Sequence, residues 1–136
     1  MLDDKPDPIT MVSGIIRNPD EPRHYMKLKP VPRRITIRQG DQILAETRMA
    51  VRVIEVGYDL YDPPLYIPPA DIRVTFASSD RSTHCPLKGD ATYWSLKEPG
   101  GEDIAWSYED PFDFARGLTG LVAFDAGRVT IEETPL

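Results

Sequence analysis

The chain has very few of the residues that build cross-links and metal centres. It contains one cysteine, Cys85, and two histidines, His24 and His84. A single cysteine excludes an intrachain disulfide, and these three side chains do not make a closed four-ligand zinc site from nitrogen and sulfur donors alone. We therefore predict no metal. The lack of disulfides is typical of a protein in the reducing cytoplasm.

Long apolar runs and nucleotide-binding loops are also missing. No stretch approaches the roughly 20 apolar residues that a membrane-spanning helix requires. The first four residues, Met1 to Asp4, are acidic where a signal peptide is basic. The sequence has no G-x-x-x-x-G-K-S/T, G-x-G-x-x-G, H-E-x-x-H, G-x-S-x-G or C-x-x-C motif. We predict a soluble protein that uses no cofactor and does not contact a membrane.

The charge balance argues against nucleic acid as a partner. The formal net charge is −6 at pH 7, whereas non-specific binding to nucleic acid needs Lys and Arg to neutralise phosphates. A local basic stretch runs from Arg23 to Arg38. We interpret it as a solvated arm and strand edge, with binding of an anion or an acidic partner as the alternative.

Prolines divide the chain into an arm and a domain. Residues 1–33 contain six prolines, and proline fixes φ and has no backbone N–H to donate. The pattern predicts an extended, helix-poor arm over 1–33 and a single β domain over 34–134. Apolar residues in the arm indicate that it packs against the domain or against a second copy, so a homodimer is one expected arrangement.

The domain follows the period-two pattern of strands. Alternation predicts strands at 34–38, 42–47 and 51–56, with a tight turn at Gly40-Asp41 between the first two. Residues 65–67 are expected to be pinned against the core, and 73–77 to form another strand. We predict hairpins from 88–97 with 104–108 and from 121–124 with 128–132, and one helical turn within 110–118. The fold class is mostly β, a small antiparallel curled sheet or two-sheet fold.

One acidic residue stands out in this pattern. Glu55 falls on the same strand face as Val51 and Val53, which puts a carboxylate on an apolar face. A buried carboxylate must be protonated, paired or hydrogen-bonded, because its desolvation is costly. Arg48 and Lys88 are the conceivable partners. The pattern favours a structural ion pair, and a functional acid or base is the alternative.

The only thiol lies in the most polar and reactive segment, which runs from Ser78 to Gly89. A cysteine becomes a nucleophile when nearby positive charge favours the thiolate, and His84 and Lys88 lie close in sequence to Cys85. Cysteine is also a common small residue in protein cores. An inert packed thiol is the favoured interpretation here, with a nucleophile as the alternative.

Aromatic side chains concentrate in the first predicted hairpin. Alternation places Trp94 on the same face as Lys88, and Trp106 with Tyr108 on one face of the partner strand. Such a face is either core or the wall of a pocket with a few directed polar groups. Core packing is the favoured interpretation.

Several segments together resemble a known family. They are Arg34 to Thr47, Glu55-Val56-Gly57-Tyr58, Tyr66-Ile67-Pro68-Pro69-Ala70-Asp71-Ile72, the run from Cys85 to Trp94, Ala105-Trp106-Ser107-Tyr108 and Val122-Ala123-Phe124. In this order they resemble the domain-of-unknown-function family 427, over about Arg23 to Glu132. The pattern C-P-x-K-G-x-A-x-Y-W is the most specific part. Where relatives commonly read His-Pro-Ile-Thr, this chain reads His24-Tyr25-Met26-Lys27-Leu28.

The resemblance implies an antiparallel β fold similar to the Mss4-like, or β-tent, arrangement. Zinc-binding proteins and methionine sulfoxide reductases share that broad shape, but their zinc needs paired C-x-x-C motifs, which this chain lacks. A nucleotidyltransferase name is also attached to the family. No D-x-D pair follows a Gly-Ser loop in this sequence, so its residues do not support that chemistry.

These observations leave three hypotheses for function. The first is a pocket for a small polar molecule, with Cys85, Glu55 and Lys88 as catalytic candidates. Its ligand-binding candidates are Arg48, Tyr66, Trp94, Trp106 and Tyr108. The second is a non-catalytic interaction domain that docks or self-associates through the arm. The third is an enzyme with Cys85 as its nucleophile.

Overall fold

The computed structural model describes residues 13–21, 23–57, 59 and 61–136. Among these residues, strands and isolated bridges account for 49% and helix for 7%, so the predicted mostly-β class is confirmed. The strands are β1 (Ile16–Arg17), β2 (Tyr25–Pro30), β3 (Arg34–Gln39), β4 (Gln42–Thr47), β5 (Val51–Val56), β6 (Leu65–Ile67), β7 (Ala77–Cys85), β8 (Gly89–Ser95), β9 (Ala105–Ser107), β10 (Val122–Phe124) and β11 (Thr130–Thr134). Two 3₁₀ helices span Pro69–Asp71 and Asp113–Leu118. None of the helices in these ranges has the length and apolar character needed to cross a bilayer.

The strands form two open antiparallel sheets. The larger sheet has the order β1-β2-β5-β6-β10-β9-β8-β7, and the smaller has the order β11-β3-β4. The β3–β4 hairpin turns at Gly40-Asp41 as predicted. Gly40 has a φ of +58°, a conformation that glycine adopts without steric cost. Similarity to the Mss4-like arrangement stays a prediction.

One hydrophobic core lies between the two sheets. Ile35 and Ile37 of β3 pack there against Leu65 and Ile67 of β6, and Phe124 of β10 joins them. These side chains are buried because the smaller sheet covers one face of the larger one. This core is the conventional interior of a two-sheet fold.

A second core lies on the opposite face of the larger sheet. Tyr66 and Ala123, the middle residues of β6 and β10, point to this side. Ala115 and Leu118 of the second 3₁₀ helix cover it, together with Leu87 from the turn between β7 and β8. All residues of β6 and β10 are therefore buried, because their sheet is covered on both faces.

Part of the segment predicted as an arm packed against the domain enters the larger sheet. Strand β2 pairs with β5 along its whole length, from Tyr25 opposite Val56 to Pro30 opposite Val51. Strand β1 pairs only with Tyr25 and Met26, so the Pro30 end of β2 lies at the edge of the sheet, where proline is tolerated. The structured unit thus begins well before residue 34, and residues 1–12 of the predicted arm fall outside the described residues.

Two predicted strand assignments are wrong. The strand expected at 73–77 instead begins at Ala77 and continues to Cys85. The expected final hairpin does not form, because β10 pairs with β6 and β9 while β11 pairs with β3 in the other sheet. The turn itself is present, since the backbone N–H of Arg128 donates to Asp125. It carries the chain from one sheet to the other.

Gly101, in the turn between β8 and β9, has no room for a side chain. A Cβ atom added there would lie 2.5 Å from Cβ of Leu96, so Gly101→Ala is expected to destabilise the protein by about 1–3 kcal/mol through overpacking. Gly127→Ala is the control, because its nearest contact, Oδ1 of Asp125, would be at 3.4 Å, and its effect should stay within about 0.5 kcal/mol. Urea unfolding measures both. Equal free energies of unfolding for the two variants would contradict the close approach of Gly101 to Leu96.

Candidate functional site

A buried carboxylate binds two basic side chains on the second-core side of the larger sheet. Glu55, His24 and Lys88 are 9%, 8% and 6% exposed. Oε1 of Glu55 accepts a hydrogen bond from Nζ of Lys88, and Oε2 lies 2.6 Å from Nε2 of His24. Both carboxylate oxygens are thus satisfied, as a buried acid requires. We refer to these three side chains as the buried triad.

Three separate parts of the chain supply the triad. Glu55 lies in β5 on the same face as Val53, as the alternation predicted. His24 directly precedes β2, whose first residue pairs with Val56, so the imidazole lies beside the end of β5. Gly57 leaves space for this ring, because a Cβ atom there would come within 3.0 Å of Cδ2 of His24.

Lys88 comes from the turn between β7 and β8. Its backbone N–H donates to the carbonyl oxygen of Cys85, and its own carbonyl accepts from the N–H of Phe112. Gly89 follows with a φ of +115°, a value that an L side chain rarely adopts. These backbone constraints fix the turn that carries Lys88, whose ammonium group bonds to the buried Glu55.

The single thiol lies at the edge of the triad. Cys85 ends β7 and is partly exposed, and its Sγ lies 3.9 Å from Nζ of Lys88. The contacts therefore run from His24 through Glu55 and Lys88 to the thiol of Cys85, a residue of intermediate exposure. A nucleophile whose partner is oriented by a third group is the general arrangement of covalent catalysis.

Aromatic residues lie on the same side of the larger sheet as this thiol. Nε1 of Trp106 donates to the hydroxyl of Tyr66 over 3.2 Å, and the ring of Tyr93 lies 6.2 Å from that of Trp106. Cys85, Tyr93 and Trp106 are partly buried members of this face. We refer to these three residues as the rim, and to the buried Tyr66 and Tyr108 as the floor.

The electrostatic environment keeps both floor tyrosines protonated. Burial raises the pKa of Tyr66 well above its ordinary value, and the charges of Glu55 and Cys85 raise it further. Burial likewise raises the pKa of Tyr108, with smaller contributions from Tyr66 and Cys85. At neutral pH both hydroxyls therefore remain hydrogen-bond donors.

The triad also determines the charge state of Glu55. Burial alone raises the pKa of this carboxyl, but hydrogen bonds and charge interactions with Lys88 and then His24 outweigh it. The net effect lowers the pKa of Glu55 below its ordinary value of 4.5. Glu55 is therefore a carboxylate at neutral pH, held by two partners.

The structure unites most of the sequence-predicted site and separates two members from it. Arg48 is exposed after β4, and it lines a different cavity beside Arg34 and Asp71. It is not the partner of Glu55, while the alternative partner, Lys88, is confirmed. The remaining predicted residues lie on one side of the larger sheet: Glu55, Tyr66, Cys85, Lys88, Trp106 and Tyr108.

Trp94 lies on the opposite face of the larger sheet. The register of β8 against β9 pairs Tyr93 with Trp106 and Trp94 with Ala105. Tyr93, and not Trp94, therefore shares a face with Trp106. Nε1 of Trp94 donates to Oγ of Ser107, and its ring packs against the core between the sheets. The predicted common face of Lys88 and Trp94 fails because Lys88 belongs to the turn and not to the strand.

His24 is a site residue that the sequence pattern does not identify. It falls in the predicted proline-rich arm, where no strand alternation connects it to Glu55. The one available signal was the family resemblance, in which a histidine occupies this position. Pairing of β2 with β5 makes the connection.

Three donor atoms of the cluster lie close enough together to be considered for a metal ion. The ligand atoms of His24, Glu55 and Cys85 are all within 4.8 Å of one another. The ammonium group of Lys88 is bonded to the same carboxylate, however, and it would repel a cation placed there. These residues therefore fit an ion-paired thiol site better than a metal centre.

Comparison with protein families places this geometry in context. A family model described as a domain of unknown function, DUF427, matches residues 27–134. The chain belongs to this family. The DUF427 match contains Glu55, Cys85 and Lys88, and His24 lies three residues before it. No curated protein matches the chain.

The lowered pKa of Glu55 predicts a specific dependence of stability on pH. Glu55→Gln removes the charge that balances Lys88, so the variant should unfold more easily by about 3–5 kcal/mol at neutral pH. An ionised group with a depressed pKa stabilises the fold above its unfolded-state pKa, and this contribution is lost as pH falls through the folded-state value. The difference between wild type and variant should therefore shrink below about pH 4.5. Urea unfolding across a pH series measures it.

Glu132→Gln is the matched control. Glu132 forms an exposed ion pair with Arg38 at 2.7 Å, and such pairs contribute about 1 kcal/mol or less. The control should change stability little at any pH. If Glu55→Gln behaves in the same way, the buried triad does not exist in solution.

Proposed function

We propose that this DUF427 protein binds a small polar molecule at the rim formed by Cys85, Tyr93 and Trp106, and that Cys85 acts on it as a nucleophile. The observation that carries the proposal is the 3.9 Å contact between Sγ of Cys85 and Nζ of Lys88. Reactive cysteines typically lie in electropositive, partly exposed surroundings, and Lys88 supplies the positive charge here. The proposal joins the predicted pocket to the predicted thiol chemistry.

Each polar group has a distinct role in this proposal. The thiolate adds to an electrophilic carbon such as a carbonyl, a C–S bond forms, and the carbonyl electron pair moves to oxygen. Lys88 donates a hydrogen bond to that developing negative charge, which lowers the barrier to addition. Glu55 holds the lysine in place, and His24 holds Glu55.

The rim residues are suited to binding the rest of the substrate. Tyr93 and Trp106 offer aromatic faces, and Tyr66 contributes the nearby protonated hydroxyl that accepts the hydrogen bond of Trp106. Apolar walls with a few directed polar groups are typical of small-molecule sites. The substrate class is therefore a small polar molecule with an electrophilic carbon and a flat or apolar portion.

A purely structural role explains the cluster less well. Replacing a buried ion pair by apolar residues is often neutral or stabilising, so such a pair is weak evidence for a stabilising function. Clusters of buried, mutually perturbed titratable groups are instead found preferentially at functional sites. A structural ion pair also has no need of a partly exposed thiol beside it.

Alkylation of the single thiol tests the proposal. Iodoacetamide should modify Cys85 at neutral pH several-fold more slowly in Lys88→Met than in wild type, because the variant lacks the ammonium group beside Sγ. Mass spectrometry reports the rate without ambiguity, since no other cysteine is present. Lys97→Met, at an exposed position, is the control and should react at the wild-type rate.

Lys88→Arg keeps the positive charge and should recover most of the rate, which separates the charge effect from a general loss of fold. Circular dichroism verifies that each variant is folded. An unchanged alkylation rate in folded Lys88→Met would refute the thiol mechanism and leave the non-catalytic interaction domain as the better account.

A further inference from the structure

A small cavity opens on the face of the larger sheet that carries Trp94, opposite to the buried triad. It has a volume of about 240 Å³, just below the roughly 300–1,000 Å³ of pockets that hold drug-sized molecules. The residues of its walls are apolar or aromatic: Pro69, Ile72, Val74, Phe76, Trp94 and Val122. This volume limits a ligand to one ring with a short side chain.

The register of three neighbouring strands puts these walls on one face. Val122 of β10 pairs with Ser107 of β9, and Trp94 of β8 pairs with Ala105, two residues before Ser107. Side chains that are opposite each other, or two residues apart, point to the same side of a sheet. Nε1 of Trp94 accordingly donates to Oγ of Ser107 over 2.8 Å. The indole is fixed by this bond and by stacking on Phe76, with 6.1 Å between the ring centroids.

The cavity carries a single charge. Of the described residues that line it, only Glu109 is ionisable. Its carboxylate lies at the cavity wall formed by Gly120, because a Cβ atom built on Gly120 would be 3.7 Å from Oε2 of Glu109. No basic side chain within the described part of the chain forms an ion pair with this carboxylate. Arg73, adjacent to Val74 in sequence, lines two other cavities.

We propose that this cavity binds a small organic cation, an ammonium group carried by one flat apolar ring. The ring packs against Phe76 and Trp94, and the ammonium group donates to the carboxylate of Glu109. Aromatic ring faces attract cations as well, because their π electrons carry partial negative charge. An anion of the same shape is repelled by Glu109 and by the net charge of −6.

The proposal is independent of the thiol chemistry. The cavity shares no lining residue with the rim formed by Cys85, Tyr93 and Trp106, and the larger sheet separates the two sites. The cavity therefore binds its ligand whether or not Cys85 is a nucleophile, and its test involves no alkylation.

Calorimetric titration with two small molecules of opposite charge tests the proposal. 2-Phenylethylamine is a cation and 3-phenylpropionate an anion at neutral pH, and both carry the same phenylethyl body. The amine should bind with saturation and at least about tenfold more tightly than the acid, because attraction to Glu109 is replaced by repulsion. In Trp106→Phe, Trp94 is the sole tryptophan, so a saturable change in emission shows that the amine reaches this cavity.

Two matched variants identify the group that binds the ammonium. Glu109→Gln should weaken binding of the amine about fivefold. Glu102→Gln is the control, because Glu102 is exposed in the turn between β8 and β9 and does not line the cavity. Both substitutions change the net charge equally, so a general attraction of cations to an acidic protein weakens binding equally in both. Absence of saturable binding, equal affinity for the amine and the acid, or equal losses in the two variants would each overturn the proposal.

Discussion

The site depends on how the protein keeps one carboxylate charged in its interior. Removing Glu55 from water is unfavourable unless both of its oxygens find strong donors. Lys88 and His24 supply them from two distant parts of the chain. The same contacts therefore join β5, the entry to β2 and the turn between β7 and β8, and they hold the lysine next to Cys85.

The larger sheet separates two environments because it is covered on both faces. One face packs against the smaller sheet and forms an apolar core with a solvent-accessible cavity. The other face carries the buried triad, the protonated tyrosines and the partly exposed thiol. Alternation along single strands distributes side chains between them, so that Leu65 and Tyr66, adjacent in β6, belong to different cores.

The local sequence pattern was sufficient to predict part of this architecture. The hairpin of β3 with β4, the strand β5 and the burial of Glu55 follow from period-two alternation and one glycine turn, all of which are encoded within a few residues. The pairing of β11 with β3 and the contact of His24 with Glu55 were not predicted, since both join residues far apart in sequence. The predicted face of Trp94 was wrong for a related reason. Lys88 and Gly89 form a turn, so the alternation of β8 cannot be counted from Lys88.

The structure of the protein after reaction with iodoacetamide is the sharpest test of the ion-paired thiol site. The added group on Cys85 should lie against Tyr93 or Trp106, and its carbonyl oxygen should accept a hydrogen bond from Nζ of Lys88. A group directed into solvent, with Lys88 still bonded to Glu55 alone, would contradict it.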